Sequence, residues 1–356
     1  MITPRADVAA LAAYPLSDPL EEGWVSLAQN ESAFAPSRAA IAAGQAALVQ
    51  TGPYCDPDWT DLRAAIAEIH TVDADAILCG AGSMELIGAL IHAFAGPGDR
   101  VLGSAFGYLF AQTACAQAGA AYDQAPETDY TVSVDAMIDA LRPETRIVFL
   151  CNPGNPTGTR IANADILRLR EALSTDTLLI IDQAYGEFDD QGPEGLFSLV
   201  GRGDTVILRT FSKAYGLAGA RVGWGLFPPD IATHTRKLMN PNNISAVSQA
   251  MAAAAIRDTQ WMQGVVAKTA EARGRLTAHL RAAGYLIPES HTNFVLIPFP
   301  NPEAADKADR ALRKDGILVR GMGGYGLHHC LRATIGPSHV MDRLADILTE
   351  MAGEHP

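Results

Sequence analysis

The chain has few cysteines, and none at a spacing that suits a metal or a disulfide. They are Cys55, Cys79, Cys115, Cys151 and Cys330. No two form a CxxC pair and the count is odd, which argues against a disulfide framework and a structural zinc site. Buried free thiols in a reducing compartment are expected instead. Excess positive charge is missing too: the formal net charge is -13 at pH 7. A field of that sign repels polyanions, so neither a nucleic-acid partner nor an anionic membrane surface is expected. A small anion can still sit in a local basic pocket. No uncharged apolar stretch reaches membrane length. The opening "MITPRADVAALAAYPLSDP" has no long apolar core behind a basic start, hence no signal-peptide pattern. Repeats and low-complexity segments are absent. The expectation is a cytoplasmic protein that holds no metal and meets no nucleic acid or membrane.

What is present is a globular composition, 48% hydrophobic and 19% charged, in 356 residues, a length that suits two domains. Apolar runs such as "AILCG", "RIVFLC", "TLLIID" and "TVILRT" alternate with helical segments such as "SMELIGALIHAF" and "NADILRLREALS". Near-continuous apolar strands separated by helices predict a mostly parallel sheet covered on both faces. In "SMELIGALIHAF" the residues Leu86, Ile87, Leu90, Ile91 and Phe94 make one stripe. From Asn243 the texture changes to long helices followed by "NFVLIPF", "KADRALRKDGILVR" and "CLRATIG", a smaller α+β domain. The expected organisation is an irregular arm over 1–28, a large domain over 29–242 whose first helix has the option of packing on the smaller domain, and a small domain over 243–356.

Ligands of parallel α/β sheets bind at the carboxyl ends of the strands. Four such ends carry unusual residues: Gly82-Ser83, Asn152 to Asn155, Asp182 to Tyr185, and Ser212-Lys213. Singly each has an ordinary explanation. Gly-Ser before a helix and Asp after a strand are common caps, and a lone lysine is usually solvated. Together they call for one ligand with a phosphate, an aromatic ring nitrogen and an aldehyde. In "TFSKAYGLAGARVGWG" one lysine sits at the mouth of the sheet among small residues, with Arg221 eight positions later.

These motifs resemble those of the fold-type I pyridoxal-phosphate aminotransferases, and within them the histidinol-phosphate aminotransferase family. The likeness spans nearly the whole chain through "NESAFAPS", "PYCDPD", "GAGSMELI", "CNPGNPTG", "DQAYGEF", "TFSKAYGLAGARVGWG" and "CLRATIG". It implies that Lys213 is the Schiff-base lysine, whose free amine afterwards moves a proton. Asp182 is implied as the partner of the pyridine nitrogen, and Asn155 and Tyr185 as donors to the ring's phenolic oxygen. Lys213, Asp182 and Tyr185 are thus the catalytic set. Tyr108 matches the aromatic that stacks on the ring, with a core tyrosine an equal alternative. For the phosphate the resemblance implies the backbone N–H groups of Ser83 and Met84, with Thr210, Ser212 and Arg221; a helix start and a guanidinium both favour an anion. Tyr54 matches a tyrosine that reaches the partner subunit's phosphate, which implies a homodimer with shared sites. Arg332 matches the arginine that grips a carboxylate, Arg320 one that meets the far end of the substrate, and Tyr14 an N-terminal substrate tyrosine.

Three departures fall on the substrate side or its supports. "DQAY" replaces Asp-Glu-Ala-Tyr, so Gln183 removes a charge behind the ring. Asn242 stands where many relatives carry an aromatic, and the arm reads "YPLSDP". The expected reaction joins an amino donor and a 2-oxo acid acceptor: L-histidinol phosphate and 2-oxoglutarate giving imidazole acetol phosphate and L-glutamate. An aromatic or broad-range aminotransferase and a threonine-phosphate decarboxylase of the same scaffold are the alternatives. A DNA-binding regulator built on this scaffold is not expected, since the aminotransferase-like region begins within about thirty residues, too few for a helix-turn-helix domain.

Overall fold

The computed structural model describes residues 2–4, 6–9 and 19–353. Seven strands form the main sheet: β1 Ile77–Gly80, β2 Arg100–Ser104, β3 Ala121–Ala125, β4 Thr145–Cys151, β5 Leu178–Asp182, β6 Thr205–Thr210 and β7 Gly223–Leu226. Their spatial order is β1-β7-β6-β5-β4-β2-β3. Strands β3, β2, β4, β5 and β6 pair in parallel, as their apolar runs predict. Every residue of β5 and β6 is buried.

Strand β7 is the exception in this mostly parallel sheet and runs antiparallel to both β1 and β6. The connection between β6 and β7 carries the loop of Ser212 and Lys213 and no crossover helix. Without that crossover a strand returns beside its predecessor in the opposite sense.

Helix Ser83–Phe94 follows β1 and buries Leu86, Ile87, Leu90 and Ile91, with Phe94 packed at the edge of the same core. Helix Leu109–Ala118 follows β2 and stops at Gly119, whose φ of 76° lets the chain leave in the left-handed region. Phe149, Ile180, Leu208 and Trp224 lie in this first core. It extends through helix Ala246–Arg257, past the change of texture at Asn243, because Ala252, Ala253, Ala255 and Ile256 are buried in it. That helix also packs on helix Arg38–Ala47, where a Cβ on Gly44 would come within 2.6 Å of Met251 Cγ.

A second core contains Leu276, Leu280, Val295, Ile297, Leu331 and Leu344. It is built on an antiparallel sheet of β8 Phe294–Pro298, β9 Arg320–Met322 and β10 Leu327–Thr334, in the order β8-β10-β9. Part of the early stretch, read from sequence as irregular, belongs here. Val25–Ser26 pairs in parallel with Ile317–Leu318, and Leu27, 2% exposed, is buried in this second core. One buried leucine of this kind stabilises by about 2 kcal/mol. Val25–Ser26 and Ile317–Leu318 thus form a separate two-stranded sheet beside the second core, and the chain runs on from it through Ala28 to Asn30, which line the site described next.

Candidate functional site

A cavity of about 220 Å³ lies between the carboxyl ends of β1, β4, β5 and β6 on one side and β9 and β10 on the other. The four strand ends singled out in the sequence all contribute a residue to it.

At the end of β5, Asp182 is 3% exposed. Its Oδ1 accepts the Ala184 N–H at 3.0 Å. Burial pushes the carboxyl up to about 7, against the opposing pull of the Ala184 N–H and the Lys213 ammonium. Beyond the end of β6, Lys213 also faces the cavity, and its Nζ donates to the Gln29 carbonyl at 3.2 Å. Desolvation and the nearby Arg332 and Arg221 guanidiniums bring its amine down to about 8, although Glu31 and Asp182 pull the other way. An acid held near neutrality and an amine drawn towards it thus share one cavity.

Tyr185, 2% exposed, packs its ring edge-on against Phe294 at 5.2 Å, and its hydroxyl accepts from Asn30 Nδ2 at 2.8 Å. Burial holds its phenol well above the ordinary value. Asn155 accepts from Arg332 Nη1 at 2.6 Å, and Arg332 Nη2 donates to the Ala28 carbonyl at 2.9 Å. Arg332 and Arg320 are direct cross-strand partners on β10 and β9, and both line the cavity. Tyr108 lines it as well, just before helix Leu109–Ala118.

The corner at the end of β1 has the form of an anion cradle. Gly82 precedes helix Ser83–Phe94 at φ 81°, and the first N–H groups of a helix have no intrahelical acceptor. Arg221, itself at φ 55°, brings its guanidinium to this turn and donates to the Ala81 carbonyl at 3.5 Å. The close approach depends on two missing side chains. A Cβ on Gly82 would come within 2.5 Å of Arg221 Nη2, and one on Gly223 within 2.2 Å of the Ser83 nitrogen. The Thr210 and Ser212 hydroxyls lie 3.0 Å apart beside it.

These residues fit pyridoxal phosphate. The cradle supplies N–H donors, hydroxyls and a guanidinium for a phosphate, and the buried Asp182 carboxyl suits a cationic ring nitrogen. Lys213 supplies the amine for an aldehyde.

One expected residue is not at this chain's own cavity, and another cannot be placed. Tyr54 is 89% exposed and lies outside it, while Tyr14 falls outside the described residues. Other residues escaped the sequence reading. Asn30 holds Tyr185 from the crossing segment, and its φ of 55° is one that asparagine tolerates. The Gln29 carbonyl and Tyr325 also face the cavity. The only signal for Asn30 was its place in "NESAFAPS". Among the described residues no cluster suited to a metal occurs and no helix is long and apolar enough to cross a membrane.

Comparisons with known proteins point to one family. A histidinol-phosphate aminotransferase of Jannaschia sp. (strain CCS1) is 43% identical over 336 residues, covering 94% of this chain and 92% of the relative. One of Paramagnetospirillum magneticum is 41% identical over 333 residues and covers 92% of each. The crystal structure of histidinol-phosphate aminotransferase from Sinorhizobium meliloti, in complex with pyridoxal-5′-phosphate, is 30% identical. It covers 99% of this chain and 98% of its own, with a TM-score of 0.91. The architecture is therefore the expected fold-type I α/β one. A family model for aminotransferase class I and II matches residues 22–348, and the chain belongs to that family.

Proposed function

We propose that this protein is a pyridoxal-phosphate-dependent aminotransferase that takes the amine of L-histidinol phosphate and passes it to 2-oxoglutarate. The observation that carries the substrate reading is the pairing of Arg320 with Arg332 over the cavity that holds Lys213. Two guanidiniums on neighbouring strands line one wall of the cavity, and a guanidinium fork binds a phosphate or a carboxylate equally well. The phosphate of the donor and a carboxylate of the acceptor then use the same place in turn. Relatives of the same name at about 40% identity support this choice.

Bound pyridoxal phosphate supplies an aldehyde for the amine and a ring that withdraws electrons from the donor's Cα. The chain's own groups do the rest. With its amine brought down to about 8, Lys213 is roughly one-tenth neutral at pH 7. That fraction can attack a carbonyl carbon, and the displaced amine can take the Cα proton and return it. Asp182, ionised beside a cationic ring nitrogen, would keep that nitrogen protonated. Tyr185 and Asn155 would donate to the ring's phenolic oxygen, and Tyr108 would cover a ring face. Ser83 and Met84 N–H groups, Thr210, Ser212 and Arg221 would hold the phosphate.

The site is completed by a second copy of the chain in this reading. Leu48, Val49 and Tyr54 are 57%, 88% and 89% exposed within one short stretch, an apolar surface that a homodimer would cover. Tyr54 would then reach the partner subunit's phosphate cradle. A cytoplasmic location accords with cysteines that form no disulfide.

Stopped-flow spectra of the first half-reaction test the substrate choice with L-histidinol phosphate, phenylalanine and glutamate. Rapid conversion by histidinol phosphate is expected. Conversion by phenylalanine and none by histidinol phosphate would replace this reading with the aromatic one.

A further inference from the structure

Glu85 stands in the first turn of helix Ser83–Phe94, an acidic group beside the corner read above as a phosphate cradle. A carboxylate there competes with a phosphate for the same positive helix end. Its contacts give it a different task. Glu85 Oε2 accepts the Ala81 N–H at 2.6 Å and Asn243 Nδ2 at 2.7 Å. The same Nδ2 donates to the Cys79 carbonyl on β1 at 3.2 Å, so both amide hydrogens of Asn243 are used. Asn243 Oδ1 in turn accepts the Trp59 Nε1–H at 3.0 Å. Trp59 is 1% exposed, sits at φ 51° at the end of the loop that carries Tyr54, and lies under the Arg236 guanidinium at 4.8 Å.

One asparagine therefore ties the end of β1 and the Tyr54 loop to a carboxylate at the start of the helix. Within the turn, the Gly82 N–H goes to the Gly80 carbonyl at 2.7 Å and the Glu85 N–H to the Gly82 carbonyl at 3.3 Å. With the Ala81 N–H taken by Glu85, the turn's own donors are satisfied except those at the helix start, Ser83 and Met84.

We propose that Glu85 and Asn243 are positioning residues for the phosphate cradle, fixing the Gly80–Ser83 turn so that the Ser83 and Met84 N–H groups point at the phosphate. The inference rests on the reading of that corner as the phosphate site. It also explains how an acid is tolerated there: one side-chain oxygen accepts two hydrogen bonds that fix the turn, and the charge is a cost.

Equilibrium titration of the cofactor-free protein with pyridoxal phosphate and, separately, with pyridoxal tests this, because pyridoxal has the same ring and aldehyde but no phosphate. Glu85→Ala and Asn243→Ala should each raise the dissociation constant for pyridoxal phosphate about tenfold, and that for pyridoxal by less than about threefold. Glu85→Gln keeps an acceptor oxygen without the charge, so it should bind pyridoxal phosphate at least as tightly as the wild type. Equal losses for both ligands, or none, would overturn the proposal. So would Glu85→Gln as weak as Glu85→Ala. A wild-type protein that did not prefer pyridoxal phosphate to pyridoxal would overturn the cradle reading itself, a separate result. If Glu85→Ala failed to fold, Asn243→Ala would give the same ratio with the carboxylate still in place.

Discussion

The Arg332 guanidinium donates to the Asn155 side-chain oxygen at 2.6 Å, so a strand of the smaller sheet is tied directly to the loop after β4. A second fork nitrogen donates to the Ala28 carbonyl, and the guanidinium lies 5.2 Å over the Phe294 ring. The group proposed to grip the substrate anion is thus also the group that orients a proposed ring donor. When an anion arrives, the fork must share its donors between the ligand and these two oxygens.

Arg332→Lys keeps the charge and loses the planar fork. Both half-reactions should slow together, each by at least about tenfold, because donor and acceptor use the same group. Single-turnover spectra with histidinol phosphate, then with 2-oxoglutarate on the aminated enzyme, check this. A defect confined to one half-reaction would place the shared anion site elsewhere.

Asp182 makes the stability of the cofactor-free protein depend on pH with a definite sign. Burial raises its carboxyl from 3.8 to about 7 in the folded chain. Between those values the folded state holds a proton that the unfolded state has released, so stability falls as pH rises from about 4 to about 7. Asp182→Asn removes this part. The variant should unfold at a higher temperature than the wild type at pH 8, with the gap closing towards pH 4. A gap independent of pH would contradict the buried-acid description. Restoring pyridoxal phosphate should reverse the order at pH 8, since only the wild type gains a charge partner for the ring nitrogen.

Tyr54→Phe removes one hydroxyl from an exposed side chain that, in a homodimer, would meet the partner's cradle. Cofactor affinity should fall by about 1 kcal/mol, roughly fivefold, and sedimentation should show a dimer for both proteins. A monomer with full activity would exclude the shared site.

Much of this site was legible because its residues sit at the ends of apolar strands, where a sequence pattern marks both the strand and its exit. Asp182 closes "TLLIID" and Ser212-Lys213 follows "TVILRT"; Arg221 was tied to them by its spacing, and Gly82-Ser83 by the helix it opens. What stayed hidden depends on contacts between distant parts of the chain. Asn30 reaches Tyr185, 155 positions away, from a segment with no regular pattern. Val25 and Ser26 find Ile317 and Leu318 across almost the whole chain. The reversal of β7 was invisible because an apolar strand buried on both faces reads alike in either direction. Asn243 was noticed only as the point where the sequence changes texture, and its reach to Glu85, Cys79 and Trp59 is a matter of folded geometry.

Among the described residues Lys213 is the one lysine that lines the cavity, which makes the account's central claim directly measurable. The protein is incubated with pyridoxal phosphate, reduced with borohydride, digested and mapped by mass spectrometry. The account predicts one cofactor adduct per chain, on the peptide containing Lys213. In Lys213→Ala the adduct and the bound cofactor's visible absorbance should both be gone, with turnover lost as well. An adduct on another lysine, or full transamination by Lys213→Ala, would contradict it.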